Sequence, residues 1–193
     1  LSTIKAYNPL NYKDVYSLDK CKSERVWQNS AIKNRVCNLR IPIITGIGDK
    51  NISPLVKISR IVPLPLVKGS DIPNLNILSV SALSKKLINL IKENKKDIFD
   101  RTIYILNRRE YNWNDIISML KPSFFYIDVR WLKKIWLFLG KFDFFIKSRV
   151  NFPSERYYDL FEVQWHIPKR DNIKLFFVQD NISKLMQSIK SNV

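Results

Sequence analysis

Apolar and polar positions succeed one another along the chain in runs that read alternately as strands and helices. The opening LSTI is short and apolar and reads as the end of a buried strand, entering the polar loop KAYNPLNYKD. From about Lys13 to Asn34, Val15, Leu18, Cys21 and Val26 recur every three to five positions, close to the helical period. Asp14 near the start suits the positive end of a helix. RVCNLRIPII then reads as a buried strand, stopped by Pro42 and the glycine loop TGIGDKN. Ser53-Pro54 has the form of a helix start, a cap residue followed by proline, and leads into LVKISRIV. A short strand LPLVKG and a second strand NILSV follow, and Ser81 is expected to cap the amphipathic helix ALSKKLINLIKEN.

TIYIL is the next strand, Asn112 or Asn114 starts the helix NDIISML, Pro122 ends it, and FFYIDV extends again. RWLKKIWLFLGKFDFFIK is the most apolar stretch and reads as a buried or interface-facing helix. Its uninterrupted apolar run, Ile135 to Leu139, falls far short of the roughly 20 residues a membrane span requires. NFPSERYYDLFEVQWHIPKRDN is loop- and strand-like, and QDNISKLMQSIK reads as a capped amphipathic helix. Strands alternate with helices to about residue 106, which predicts a layered α/β fold, and the material beyond is mixed. The expected division is therefore 1–110 and 111–193.

Composition narrows the chemistry. The only glycines are Gly46, Gly48, Gly69 and Gly140, so no three fall within the six-residue window that a dinucleotide-phosphate loop needs. The chain opens on Leu1, with methionine only at 119 and 186, and is expected to continue upstream; LSTIKAYNPL carries no signal-peptide pattern. Cys21 and Cys37 lack metal-ligand spacing and read as buried thiols of a reducing, cytoplasmic compartment. His166 is the single histidine, which argues against a histidine-based metal site or a Ser-His-Asp triad, so no metal is expected. The formal charge of +16 would suit nucleic acid or phosphorylated ligands, but no basic run exceeds two residues. A nucleic-acid-binding module is thus an alternative reading rather than the main one. The aromatics of Phe124–Tyr126, Trp131–Phe145 and Tyr157–Trp165 are interleaved with aliphatics and read as packing.

YSLDK places the phenol of Tyr16 and the ammonium of Lys20 four residues apart, hence on one helix face and one turn away. An ammonium beside a phenol favours the phenolate, and a phenolate can take a hydroxyl proton while hydride leaves the same carbon. The flanks strengthen the pair. LSTIKAYN, then YSLDKCKSE with Glu24, then Leu39-Arg40-x-Pro42 followed by Gly46 and Gly48 occur in order. This set resembles the extended short-chain dehydrogenase/reductase family, the NAD-dependent epimerases and dehydratases, over about residues 1–105. NLNILSVSALSKKLINLIK is similar to that family's strand and helix beside the substrate site.

The resemblance implies the C-terminal part of a Rossmann-like doubly wound fold with a small mixed α+β substrate-binding lobe. It implies NAD or NADP as cofactor, a nucleotide-linked sugar as substrate, and a homodimer through the tyrosine-bearing helix. Tyr16 would be the catalytic base or acid, and Lys20 would support it and hydrogen-bond the nicotinamide ribose. Thr3 would hydrogen-bond the reacting hydroxyl, with Ser2 as fallback on the cofactor side. The backbone at Pro42 and Ile43 would contact the nicotinamide, and the loop Thr45 to Asn51 would line the substrate cleft. The chain departs from the family at Thr45, where an aromatic is usual, and at Leu75-Asn76, where arginine is frequent. Arg60, Arg101, Arg108 and Arg109 are the other residues able to take phosphate oxygens in pairs. A non-catalytic relative that keeps the fold as a dinucleotide-binding or accessory scaffold is the second alternative.

Overall fold

The middle of the run RTIYILN, Thr102 to Ile105, is β-branched or aromatic at every position, which suits a parallel strand covered on both faces. It forms the central strand around which one of two compact units is built. The computed structural model describes residues 1–7, 15–49, 52–61, 63–69, 72–93, 98–120, 125–131, 134 and 173–192. In chain order the strands are β1 Ser2–Thr3, β2 Cys37–Ile41, β3 Ile43–Thr45, β4 Leu66–Lys68, β5 Leu75–Ser79, β6 Arg101–Asn107, β7 Glu110–Tyr111, β8 Tyr126–Asp128 and β9 Ile173–Val178. The helices are α1 Val15–Gln28, α2 Ile52–Ile61, α3 Val80–Lys92, α4 Trp113–Leu120 and α5 Ile182–Asn192. Single 3-10 turns lie at Ile4–Tyr7 and Lys33–Arg35.

The first unit holds β1, α1, β2, β5 from Asn76, α3, β6 and β9. Its sheet runs β1-β2-β6-β9 and is parallel at every pairing, with Ser2 beside Arg40, Leu39 beside Ile103 and Ile105 beside Phe176. Side chains alternate across a strand, so the register sorts them into two faces. Leu39, Ile41, Ile103 and Ile105 point to the face that receives Leu83 and Leu90 of α3, with Leu78 of β5 in the same cluster. Arg40 and Tyr104 point to the opposite face, where they meet Glu24 of α1. Helices therefore cover both faces, the doubly wound arrangement.

At the carboxyl ends of the strands two buried asparagines hold β5 to β6. The Asn76 Nδ2 donates to the Asn107 carbonyl at 2.9 Å, and the Asn107 N–H donates to Asn76 Oδ1 at 2.8 Å. The Asp180 carboxylate, just beyond β9, accepts the Ser79 N–H at 2.6 Å. Ser79 itself caps α3 by accepting the Ala82 N–H at 3.0 Å. The cap is thus Ser79 and not Ser81, because β5 runs directly into the helix and leaves Ser81 inside its first turn.

The helix expected over Lys13 to Asn34 is described from Val15 and ends early, at Gln28, where turns and the 3-10 turn Lys33–Arg35 take over, and its apolar stripe is not what it buries. Val15 and Val26 are exposed, whereas Ser17 and Glu24 are buried. The sheet face beneath α1 is polar, so the helix turns polar groups toward it.

The second unit holds α2, β4, β7, α4, β8 and α5. β4 and β8 pair in parallel, with Val67 beside Ile127. Asn114 of α4 binds both the N–H and the carbonyl of Val67, at 2.7 and 2.9 Å, as a neighbouring strand would. Asn112 caps α4: its Oδ1 accepts the Asp115 N–H while its own N–H donates to the Asp115 carboxylate, both at 2.9 Å. Of the two asparagines expected to start this helix, Asn112 does so. Ile182, Met186 and Ile189 form one fully buried stripe on α5 at helical spacing. α2 begins at Ile52, whose N–H donates to the Asp49 carboxylate at 3.3 Å; the expected cap Ser53 and first helical residue Pro54 therefore both lie inside the helix, two residues late. Among the described residues no helix is long and apolar enough to cross a membrane. Asp14, Asn51, Pro122, His166 and most of the apolar stretch between 132 and 147 lie outside the described residues.

Candidate functional site

Tyr16 is the second residue of α1, and Lys20 follows one turn later. The spacing puts both on one side, and the Lys20 Nζ stands 5.6 Å from the centroid of the Tyr16 ring. The same Nζ lies 3.5 Å from the Leu1 carbonyl oxygen, a long contact that carries the ammonium to the entrance of β1. Tyr16 is 57% exposed, so its ring borders solvent while the helix beneath it is anchored.

Ser2 and Thr3 are both buried in β1. Their side chains diverge by register: Ser2 is paired with Arg40, on the α1 face, and Thr3 with Ile41, on the α3 face. The Ser2 Oγ is buried without a hydrogen-bond partner among the described residues. A buried hydroxyl left open in this way is uncommon and suits a site completed by a ligand or water. Pro42 ends β2 because it has no N–H to give the ladder, and it is buried; Ile43 is half-buried at the start of β3.

Thr45 belongs to the other unit. It is buried, and its hydroxyl donates to the Asp49 carboxylate at 3.0 Å, the same carboxylate that caps α2. The first unit thus holds Tyr16 and Lys20 on α1 with Ser2 on the α1 face of the sheet, while Thr3 lies on the opposite face and Pro42 and Ile43 follow the adjacent strand.

What holds α1 in place is an ion pair. The Arg40 Nε and Nη2 donate to the two oxygens of Glu24 at 2.9 and 2.6 Å, and Nη1 donates to the Tyr104 hydroxyl at 2.6 Å. Burial works against the guanidinium's charge, but the hydrogen bond and charge of Glu24 outweigh it and hold the Arg40 pKa above the ordinary arginine value. The sequence pattern singled out Glu24 and Arg40 and missed Tyr104. Its signal was a tyrosine within an otherwise apolar strand, since a buried phenol seeks a polar partner.

No protein-family model matches the sequence, and no curated protein does. Among solved structures the chain is similar to UDP-N-acetylglucosamine 4-epimerase from Bacillus cereus, with a TM-score of 0.52 and 12% identity over 98% of this chain and 62% of that one. It is also similar to RMD from Pseudomonas aeruginosa complexed with NADPH, with a TM-score of 0.53 and 14% identity over 92% of this chain and 55% of that one. The chain therefore spans less than two thirds of either protein. At such identities the likeness concerns the fold: an α/β architecture corresponding to the C-terminal part of a Rossmann-like doubly wound protein.

Proposed function

We propose that the chain is the catalytic part of an extended short-chain dehydrogenase/reductase, an NAD(P)-dependent epimerase, dehydratase or reductase acting on a nucleotide-linked sugar. The observation that carries this reading is the juxtaposition of the Tyr16 ring and the Lys20 ammonium beside β1. In it the phenol exchanges a proton with a sugar hydroxyl, with the Lys20 ammonium one helical turn away beside its ring. The residues present fit the ribose and nicotinamide end of a cofactor: Lys20 supplies donors to ribose hydroxyls, and the open Ser2 hydroxyl lies on the same face of the sheet as α1. Bound there, NAD or NADP would supply the hydride acceptor. The register makes Ser2 the better candidate for a hydroxyl facing α1, with Thr3 on the far face. Pro42 and Ile43 would border the nicotinamide through their backbone. Thr45 and Asn51 remain proposed substrate-loop residues, although the Thr45 hydroxyl already serves Asp49.

Since the 193 residues hold no glycine-rich phosphate loop, the assay uses the gene product that carries this chain. It reads hydride transfer and sugar conversion with UDP- and GDP-linked sugars and either nicotinamide cofactor. Tyr16→Phe is expected to lower turnover by about 10²–10⁴-fold while cofactor and sugar still bind. Unchanged turnover in that variant would overturn the assignment. No turnover by the unsubstituted protein with any pair, alongside intact dinucleotide binding, would instead favour the accessory-scaffold reading.

A further inference from the structure

The amino-terminal end of the parallel sheet in the first unit carries an opening. A cleft of about 460 Å³ is lined by Trp27 and Gln28 at the end of α1, Lys33 in the following turn, Asn38 at the start of β2, and Asp100, Arg101 and Thr102 at the start of β6. Its volume lies within the roughly 300–1,000 Å³ usual for small-molecule sites. Tyr16 and Trp27 lie eleven positions apart on α1, roughly 16 Å at a helical rise of about 1.5 Å per residue. The Glu24–Arg40–Tyr104 network stands between them along the helix. The cleft is therefore separate from the candidate catalytic residues, and this inference does not rest on the proposed function.

Four features of the lining select a ligand. Asn38 and Thr102 are register partners on the α1 face, where a helix-covered sheet ordinarily shows aliphatics. Neither side chain is hydrogen-bonded among the described residues. Lys33 and Arg101 bring two exposed cations to the same opening, and a guanidinium takes phosphate oxygens in pairs. Trp27 is 47% exposed, offering an indole face on which a flat ring can stack. The Asp100 carboxylate accepts hydrogen bonds and gives none, so it disfavours a bare anion and favours one that also carries hydroxyls. Its backbone is fixed for this at a positive φ of 57°, with its N–H bonded to the Val36 carbonyl at 2.9 Å.

From this arrangement we infer that the cleft binds a nucleoside monophosphate. The phosphate sits between Lys33 and Arg101, the ribose hydroxyls donate to Asp100, and the base stacks on Trp27 with its edge toward Gln28, Asn38 and Thr102.

Calorimetric titration of the chain with AMP, UMP, ribose 5-phosphate and inorganic phosphate tests this. One or both nucleotides should bind saturably and at least tenfold more tightly than ribose 5-phosphate, given about 1–3 kcal/mol for stacking one base. Arg101→Gln should weaken the nucleotide about tenfold or more, as loss of a charge-assisted hydrogen bond does. Trp27→Leu should erase the difference between nucleotide and ribose 5-phosphate. Lys92→Gln, an exposed charge on α3 away from the cleft, should leave binding unchanged. Arg101 is exposed, so its replacement does not threaten the fold; melting curves verify this, and Arg101→Lys serves as the milder variant. The inference is overturned if neither nucleotide saturates, if inorganic phosphate binds as tightly as AMP, if Arg101→Gln and Trp27→Leu change nothing, or if Lys92→Gln weakens binding as much as Arg101→Gln.

Discussion

The two faces of the parallel sheet in the first unit are built on opposite principles. Toward α3 the strands present Leu39, Ile41, Ile103 and Ile105, closed by Leu78, Leu83 and Leu90, so that face is held by burial of apolar surface. Toward α1 the same strands present Asn38, Arg40, Thr102 and Tyr104, and the helix answers with Ser17 and Glu24. An apolar face tolerates small shifts because its attraction has no direction, whereas a bidentate ion pair fixes one geometry. The helix held by directional contacts is the one that carries Tyr16 and Lys20, and its far end at Trp27 and Gln28 borders the polar cleft. The α3 face is held by apolar burial, and the α1 face is held by directional polar contacts beside the proposed catalytic pair.

The comparison breaks hardest at Glu24. Removing its carboxylate in Glu24→Ala leaves the Arg40 guanidinium buried and without its ion-pair partner, and stability measured by urea unfolding should fall by about 4 kcal/mol. Replacing both members, in Glu24→Leu with Arg40→Met, should recover most of that loss, because an apolar pair of similar size needs no mutual charge. On the other face Ile103→Ala should cost about 3 kcal/mol through lost burial and a cavity. A second truncation at the neighbouring Leu39 should deepen that loss rather than repair it. Repair on one face and accumulation on the other is the expected contrast. If the double substitution at Glu24 and Arg40 is no more stable than Glu24→Ala, the ion pair is not what holds α1.

How much of this was legible beforehand follows the range of the interactions. The one-turn spacing of Tyr16 and Lys20 is local, and so is the strand character of TIYIL; both are written in neighbouring residues. α1 was foreseeable as a helix but not in its facing, because Val15, Leu18 and Val26 suggested a buried apolar stripe. Only the polarity of the receiving sheet, set by Arg40 and Tyr104 elsewhere in the chain, decides otherwise. β9 escaped because its reason to be a strand is its pairing with β6, Thr102 beside Ile173, some seventy residues away. The seam at Ser79 and Ser81 needed the exact end of β5, and boundaries are where local signals are weakest.

That seam sharpens the comparison at a smaller scale. Ser79→Ala removes the oxygen that accepts the Ala82 N–H and should cost about 1 kcal/mol. Ser81→Ala, one turn-position inside the helix and exposed, should stay within roughly 0.5 kcal/mol of the unsubstituted chain. Thermal melts of the two variants side by side measure the difference, and equal losses would return the cap to Ser81.

The smallest effect concerns a titration on the apolar face. Cys37 opens β2 and packs against the α3-side cluster, where burial pushes its thiol up from the ordinary 9.0 to about 11. The folded state therefore holds this proton more tightly than the unfolded chain does. The resulting stabilisation is fully present below pH 9.0 and is lost as the pH rises from there through about 11. In a Cys21→Ser background, thiolate absorbance should stay flat through neutral pH and rise only in that alkaline window. Cys37→Ala should flatten the corresponding decline in stability. A thiolate appearing already near pH 9.0, the ordinary value, would mean that this end of β2 is open to water, and the division between an apolar and a polar face would then stop short of the strand's first residue.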